Sequence, residues 1–173
     1  MAERAGVTTQ TIYNVVGSKQ QLLKAAYDVT LAGDDEPMSL AERPEVVQLY
    51  ALLDATEFLH AYAALGGGLL ERVGPQMLQI AAGAAAGEAA LVELQRVTDS
   101  ERLVGTGMVV RRVTELGALR PGLTHGRGDG PDLDPQQRAG LDLLTRSQGW
   151  SGEAYERWIG DAMSAAILDR SIP

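Results

Sequence analysis

The chain of 173 residues contains no cysteine, and histidine occurs only at His60 and His125. The lack of cysteine excludes a disulfide framework, a thiolate zinc site and a cysteine nucleophile. Two separated histidines leave little material for a histidine metal site or a catalytic triad. Serine, aspartate and glutamate are plentiful, but nothing in the sequence places them beside a general base. We therefore expect no metal, no cofactor and no enzymatic activity.

Long apolar runs are also missing, since none reaches the roughly 18 residues that a membrane span needs. The first residues lack the basic-then-apolar pattern of a signal peptide. These two absences predict a soluble, cytoplasmic protein that does not bind a membrane.

Positive charge is scarce. The chain has 15 Lys and Arg residues and 23 Asp and Glu residues, so its net charge is −8. The basic residues are unevenly placed: Lys19 and Lys24, both lysines of the chain, lie in the first 27 residues. Phosphate contacts need positive charge, so the acidic remainder of the chain is a poor surface for nucleic acid. If nucleic acid is bound, the N-terminal segment must bind it.

Helical spacing of apolar residues, without the two-residue alternation of strands, predicts an all-α fold. Ser18 followed by Gln21 is a capping box for a helix that ends near Ala32, and Ser151 caps a last helix. The other predicted helices cover Glu45 to about Ala64 (interrupted or closed by Gly66–Gly68), 75–98, 100–116 and Pro135 to about Arg146, and the last helix runs to about Leu168.

The most informative segment is the first 23 residues. Gly6 separates the end of one short helix from a second helix that Thr8 can cap. The second helix presents Thr9, Gln10, Tyr13 and Asn14 on one face, while Ile12, Val15 and Val16 point toward a core. This is a helix-turn-helix arrangement with polar outward side chains. Thr and Gln can contact base edges, and Tyr and Lys can reach phosphates.

These residues resemble the DNA-binding segment of the tetracycline-repressor (TetR) family of bacterial transcription regulators. The family pattern is Ala-Gly-Val-Ser/Thr, two variable residues, Thr-Ile/Leu-Tyr, a short aromatic stretch, Ser-Lys-Glu and a leucine. Ala5–Thr8, Thr11–Tyr13, Ser18, Lys19 and Leu22 match it. The resemblance implies that Thr8 to Asn14 form the recognition helix and that Tyr13 and Lys19 touch the DNA backbone. The implied DNA-binding residues are Thr8, Thr9, Gln10, Tyr13, Asn14 and Lys19.

The chain departs from the family pattern in two ways. Val16 stands where the family usually has phenylalanine, and the family has a helix and most of a second before the position of Ala2. On this resemblance, residues 1–33 are a remnant of the helix-turn-helix DNA-binding domain with its connecting helix. Residues 34–173 would form the larger helical domain for effector binding and dimerisation. We expect the natural protein to begin upstream of Met1 with a basic amphipathic helix.

The C-terminal part is similar to the family less specifically, at Gly117–Gly122 and at Gln148–Ser151. Family members use their last two helices to form a four-helix bundle with a second subunit. The wide apolar stripe of the last helix favours the same homodimer here, and ordinary core packing is the alternative interpretation. The expected interface residues are Leu141, Leu144, Trp150, Tyr155, Trp158, Ile159 and Met163.

The middle of the chain offers Tyr50, Glu57 and His60 as residues that could line an effector pocket, as the middle helices do in the family. For His60, a satisfied core or surface position is the alternative. The resemblance implies a ligand-responsive repressor that binds operator DNA as a homodimer and is released by a small-molecule effector. The alternative function is a stand-alone helical ligand-binding or dimerisation module without DNA binding.

Overall fold

The computed structural model describes residues 6–123 and 142–169, and over these residues the fold is all-helical, as predicted. Its helices are α1 (Thr9–Val16), α2 (Lys19–Ala32), α3 (Pro44–Ala51), α4 (Ala55–Ala85), α5 (Ala89–Glu115) and α6 (Gly152–Ile167), with a 3-10 turn at Leu40–Glu42 and a π-helical turn at Asp142–Ser147. None of these helices combines the length and the apolar content that crossing a lipid bilayer requires.

The ends of α2 confirm the sequence prediction. The Ser18 hydroxyl accepts a hydrogen bond from the Gln21 N–H at 3.2 Å, and the Gln21 side chain accepts one from the Ser18 N–H at 2.7 Å. At the other end Gly33 has φ 91°, a left-handed conformation, and its N–H donates to the Val29 carbonyl at 2.9 Å. Glycine suits this position because a Cβ disfavours that conformation.

The middle of the chain differs from the prediction of one helix from Glu45 to about Ala64 that Gly66–Gly68 interrupts or closes. The structure ends α3 at Ala51 and begins α4 at Ala55, and α4 then continues through the three glycines and Pro75 to Ala85. A glycine inside a helix costs about 1 kcal/mol relative to alanine, which tertiary packing readily offsets. Gly67 is itself buried, which places this part of α4 within a helix contact.

The chain divides into two compact units. The first contains residues up to Asp35 together with Arg72–Asp99, so that it comprises α1, α2, the last part of α4 and the first part of α5. The Arg72 guanidinium donates to the Leu31 carbonyl at 3.1 and 3.3 Å, and these bonds hold the C-terminal end of α2 against α4. The buried apolar side chains of this unit include Tyr27, Val73, Met77, Ile80 and Leu94.

The second unit contains Glu36–Glu71 and the described residues from Ser100 onward. Its core is contributed by α3, α4, α5 and α6: Leu49, Phe58, Leu59, Ala63, Val109, Val113, Tyr155, Ile159, Met163 and Ile167. The end of α6 is held by residues that follow α5. The Arg120 N–H donates to the Ile167 carbonyl at 2.9 Å, the Asp169 N–H donates to Ala118, and an isolated antiparallel bridge joins Leu119 to Leu168.

Candidate functional site

The helix predicted to read DNA is present as α1 and lies between two glycine turns. Gly6 before it has φ 66° and Gly17 after it has φ 94°. The Thr8 hydroxyl accepts a hydrogen bond from the Thr11 N–H at 3.1 Å, which is the predicted N-cap. Its first turn is therefore fixed by local hydrogen bonds.

Polar groups line the exposed side of α1. Gln10 and Asn14 are both exposed, and the Gln10 amide donates to the Asn14 side-chain oxygen at 2.9 Å. Each amide keeps further donors or acceptors for another partner. Thr8 and Lys19, the latter at the start of α2, are exposed nearby in sequence. The side chains of Thr9, Tyr13, Ile12 and Val16, also predicted from the sequence, lie outside the part of the structure that is described.

The apolar side of α1 corrects one expectation. Val15 was expected to point toward a core, yet its side chain is 79% exposed. Helix α1 contacts α2, but no element among the described residues covers Val15. A helix of only eight residues thus leaves part of its apolar surface in water.

The predicted effector residues do not line one pocket. Tyr50 borders an open depression of about 440 Å³, and its ring meets Phe58 edge-on with centroids 5.4 Å apart. Burial, and then the nearby charge of Glu115, raise the pKa of the Tyr50 hydroxyl. The other walls of the depression are apolar, and the lining residues besides Tyr50 are Ala41, Val46, Val47, Ala51 and Met108.

His60 and Glu57 lie elsewhere. His60 faces α6, where its Nε2 atom is 3.2 Å from Asp161 Oδ1 and its ring lies against Gly160. Glu57 is exposed in the first turn of α4. The sequence predicts that Glu57 and His60 line a pocket with Tyr50, but the structure does not bring these three residues together. Met108, which does border the depression with Tyr50, comes from α5, and no local pattern could have paired the two.

The predicted interface stripe of α6 separates into an inner and an outer side. Tyr155, Ile159 and Met163 are 1%, 7% and 1% exposed and belong to the core of the chain itself, where burial raises the pKa of Tyr155 to about 12. Trp150 and Trp158 are 38% and 42% exposed, and their rings meet edge-to-face at 6.1 Å. Leu144 is half-buried against the core, and Leu141 lies outside the described residues.

Protein-family models, curated proteins and solved structures were compared with the chain, and none matches. The candidate sites therefore rest on its own residues: the exposed face of α1, the depression beside Tyr50, and the two exposed tryptophans. No group of three metal-ligating side chains is found in residues 6–123 and 142–169.

Proposed function

We propose that the chain is a ligand-responsive transcriptional regulator of the tetracycline-repressor kind, with α1 as its recognition helix. The observation that carries this proposal is the exposed pair Gln10 and Asn14 on a helix capped by Thr8. This helix lies in the segment that also contains both lysines. The resemblance of Ala5 to Leu22 to the family pattern supports the same assignment.

The physics of such a contact is simple. The DNA major groove is about 12 Å wide and admits an α-helix. The eight residues of α1 form about two helical turns that can lie along this groove. Gln10 and Asn14 carry the amide groups that bind the donor and acceptor edge of adenine. Lys19 would bind phosphate, which adds affinity for any sequence.

For the effector we propose a small apolar molecule bound beside Tyr50. Its depression, about 440 Å³, lies within the range of small-molecule sites, about 300–1,000 Å³. Its lining side chains are apolar apart from the Tyr50 hydroxyl, which offers a polar anchor. An effector that binds one of two conformations more tightly shifts the population and thereby the affinity for DNA.

For the oligomer we propose a homodimer in which the exposed Trp150 and Trp158 meet a second copy. Exposed tryptophans are frequent anchors of protein interfaces. A two-fold contact would use the same patch on both chains.

The decisive experiment selects duplex DNA from a random pool with the full chain and then measures binding by fluorescence anisotropy at several salt concentrations. Lys19→Gln should reduce the dependence of log affinity on log salt by about one. The matched control is Lys24→Gln, because Lys24 already bonds to Asp28 at 2.6 and 2.8 Å and should change the slope little. Gln10→Ala should lower the preference for the selected sequence by roughly 1–3 kcal/mol.

Failure to enrich any sequence, or equal effects of the two lysine variants, would overturn the DNA-binding proposal. The second candidate function is a helical ligand-binding or dimerisation module without DNA binding, and the exposed Val15 favours it. A chain that enriches no DNA but gains thermal stability from an apolar ligand, with Tyr50→Ala abolishing the gain, would identify that module.

A further inference from the structure

The guanidinium of Arg112 joins α5 to the end of α3, beside the depression that Tyr50 borders. Its Nη2 atom donates a hydrogen bond to the Leu52 carbonyl at 2.9 Å, although the two residues are 60 positions apart in the chain. Its Nη1 atom lies 3.3 Å from Oε2 of Glu115, one turn further along α5. We call Arg112, Leu52 and Glu115 the arginine clamp.

The arginine clamp is shielded from water on its cationic side. The Arg112 side chain is 18% exposed, whereas that of Glu115 is 54% exposed. The Nε atom of Arg112 is buried and has no hydrogen-bond partner among the described residues. Because a buried donor without a partner costs free energy, the two contacts that the guanidinium does make must hold it in place.

The Leu52 carbonyl belongs to a helix end that needs an outside partner. Helix α3 ends at Ala51, and the last carbonyl groups of a helix have no partner within the helix itself. They also carry the partial negative charge of the helix dipole, which attracts a cation. Arg112 supplies both the donor and the charge, so it fixes where this end of α3 lies against α5.

The arginine clamp lies next to the walls of the depression on both helices. On α3 the depression is bordered by Tyr50 and Ala51, and Leu52 follows Ala51 directly. On α5 it is bordered by Met108, which precedes Arg112 by four residues and so lies one turn away on the same side of the helix. The clamp therefore sets the separation between the α3 wall and the α5 wall.

We propose that Arg112 is a positioning residue of the effector site, which sets the width of the depression and thereby the size of the apolar molecule that it accepts. This inference rests on the effector site proposed above and adds the residue that decides its selectivity. Arg112 is not one of the lining residues, so it acts through the α3 wall and not by touching the ligand. A site that is already held in its binding shape costs less free energy to fill.

The test compares the affinities of the full chain for two neutral apolar probes of different size, naphthalene and Nile red, by fluorescence. Arg112→Met keeps the apolar stem and removes both contacts of the guanidinium. It should weaken Nile red binding by about fivefold or more and naphthalene binding by less, because only the larger probe contacts both walls at once. Arg112→Lys can donate to Leu52 but lacks the planar fork that also reaches Glu115, so it should restore part of the affinity.

Three further variants separate positioning from charge and from stability. Arg111→Met removes the neighbouring, exposed arginine, and Ser18→Ala weakens the cap of α2 in the other unit. Neither should change the ratio of the two affinities. Glu115→Gln weakens the clamp from its exposed side, and it should shift the ratio in the same direction as Arg112→Met by a smaller amount. It replaces Arg112→Met if that variant does not fold.

The outcomes distinguish this inference from the effector proposal. If the unmodified chain binds neither probe, or if Tyr50→Ala leaves binding unchanged, both the effector site and its positioning residue are refuted. If binding depends on Tyr50 but the clamp variants leave the ratio of affinities unchanged, only the positioning role is overturned. A ratio that changes in Arg112→Met and stays constant in Arg111→Met supports that role.

Discussion

Removing the guanidinium that holds the C-terminal end of α2 should loosen that helix measurably. Arg72 donates two hydrogen bonds to the Leu31 carbonyl, and its positive charge lies at a helix C-terminus, where it interacts favourably with the helix dipole. Gly33 turns the chain out of the helix beside this contact, and a Cβ built on Gly33 would lie 3.7 Å from Arg72 Nε. The change we consider is Arg72→Met, which keeps the apolar stem and removes the donors.

The magnitude follows from these contacts. A hydrogen bond to a charged group contributes about 1.5–3 kcal/mol, and a charge at a helix end about 0.3–1 kcal/mol. Arg72 is exposed, so water replaces part of both contributions, and we expect a net loss of about 1–1.5 kcal/mol. For a chain of this length that loss lowers the melting temperature by about 2–5 °C.

The assay combines thermal unfolding by circular dichroism with amide exchange of α2. The matched control is Arg96→Met, which removes an exposed arginine paired at 2.6 Å with Glu93 one turn away. Both side chains of that pair are exposed to water, so its loss should change the stability little. If both variants lose the same stability, or if the amides near Val29 keep their protection in Arg72→Met, the α2 contact does not act as we describe.

Three further predictions use the same measurements. Ser18→Ala removes the side-chain half of the capping box and should cost about 1 kcal/mol; an unchanged melting curve would contradict this role. Phe58→Ala empties a fully buried position against Tyr50 and should cost about 3–5 kcal/mol by denaturant unfolding, so a loss below 1 kcal/mol would be inconsistent with the core. Trp158→Ala should shift sedimentation toward the monomer, and a wild-type chain that is already monomeric at tens of micromolar would remove the homodimer proposal.

Local signals in the sequence were enough for the helix ends. Ser18, Gln21 and Gly33 bond to atoms within a few residues, so the local pattern contains the capping partners at both ends of α2. Thr8 likewise caps α1 through a local hydrogen bond. Gln10 and Asn14 of this helix are exposed, as the sequence predicted. Whether that exposed face binds DNA stays a prediction, because the contact would be made with another molecule.

Groupings that depend on distant residues could not be predicted in this way. Tyr50, Glu57 and His60 are close in sequence, but a break between α3 and α4 and the turn of α4 itself send them in different directions. Tyr50 instead shares its depression with Met108 of α5, and His60 meets Asp161 of α6. Only the arrangement of the helices decides such pairs.

The sequence by itself determined that the chain is helical, where α2 and α6 begin, and which side chains of α6 are apolar. Tertiary structure decided that α4 continues through Gly66–Gly68. Helix α6 packs there, and the Glu156 side chain takes the space that a Cβ on Gly67 would fill. It also decided that Tyr155 lies in the core while Trp158 stays exposed. Helical periodicity records that a face is apolar, whereas the partner that buries that face is set by helices far away along the chain.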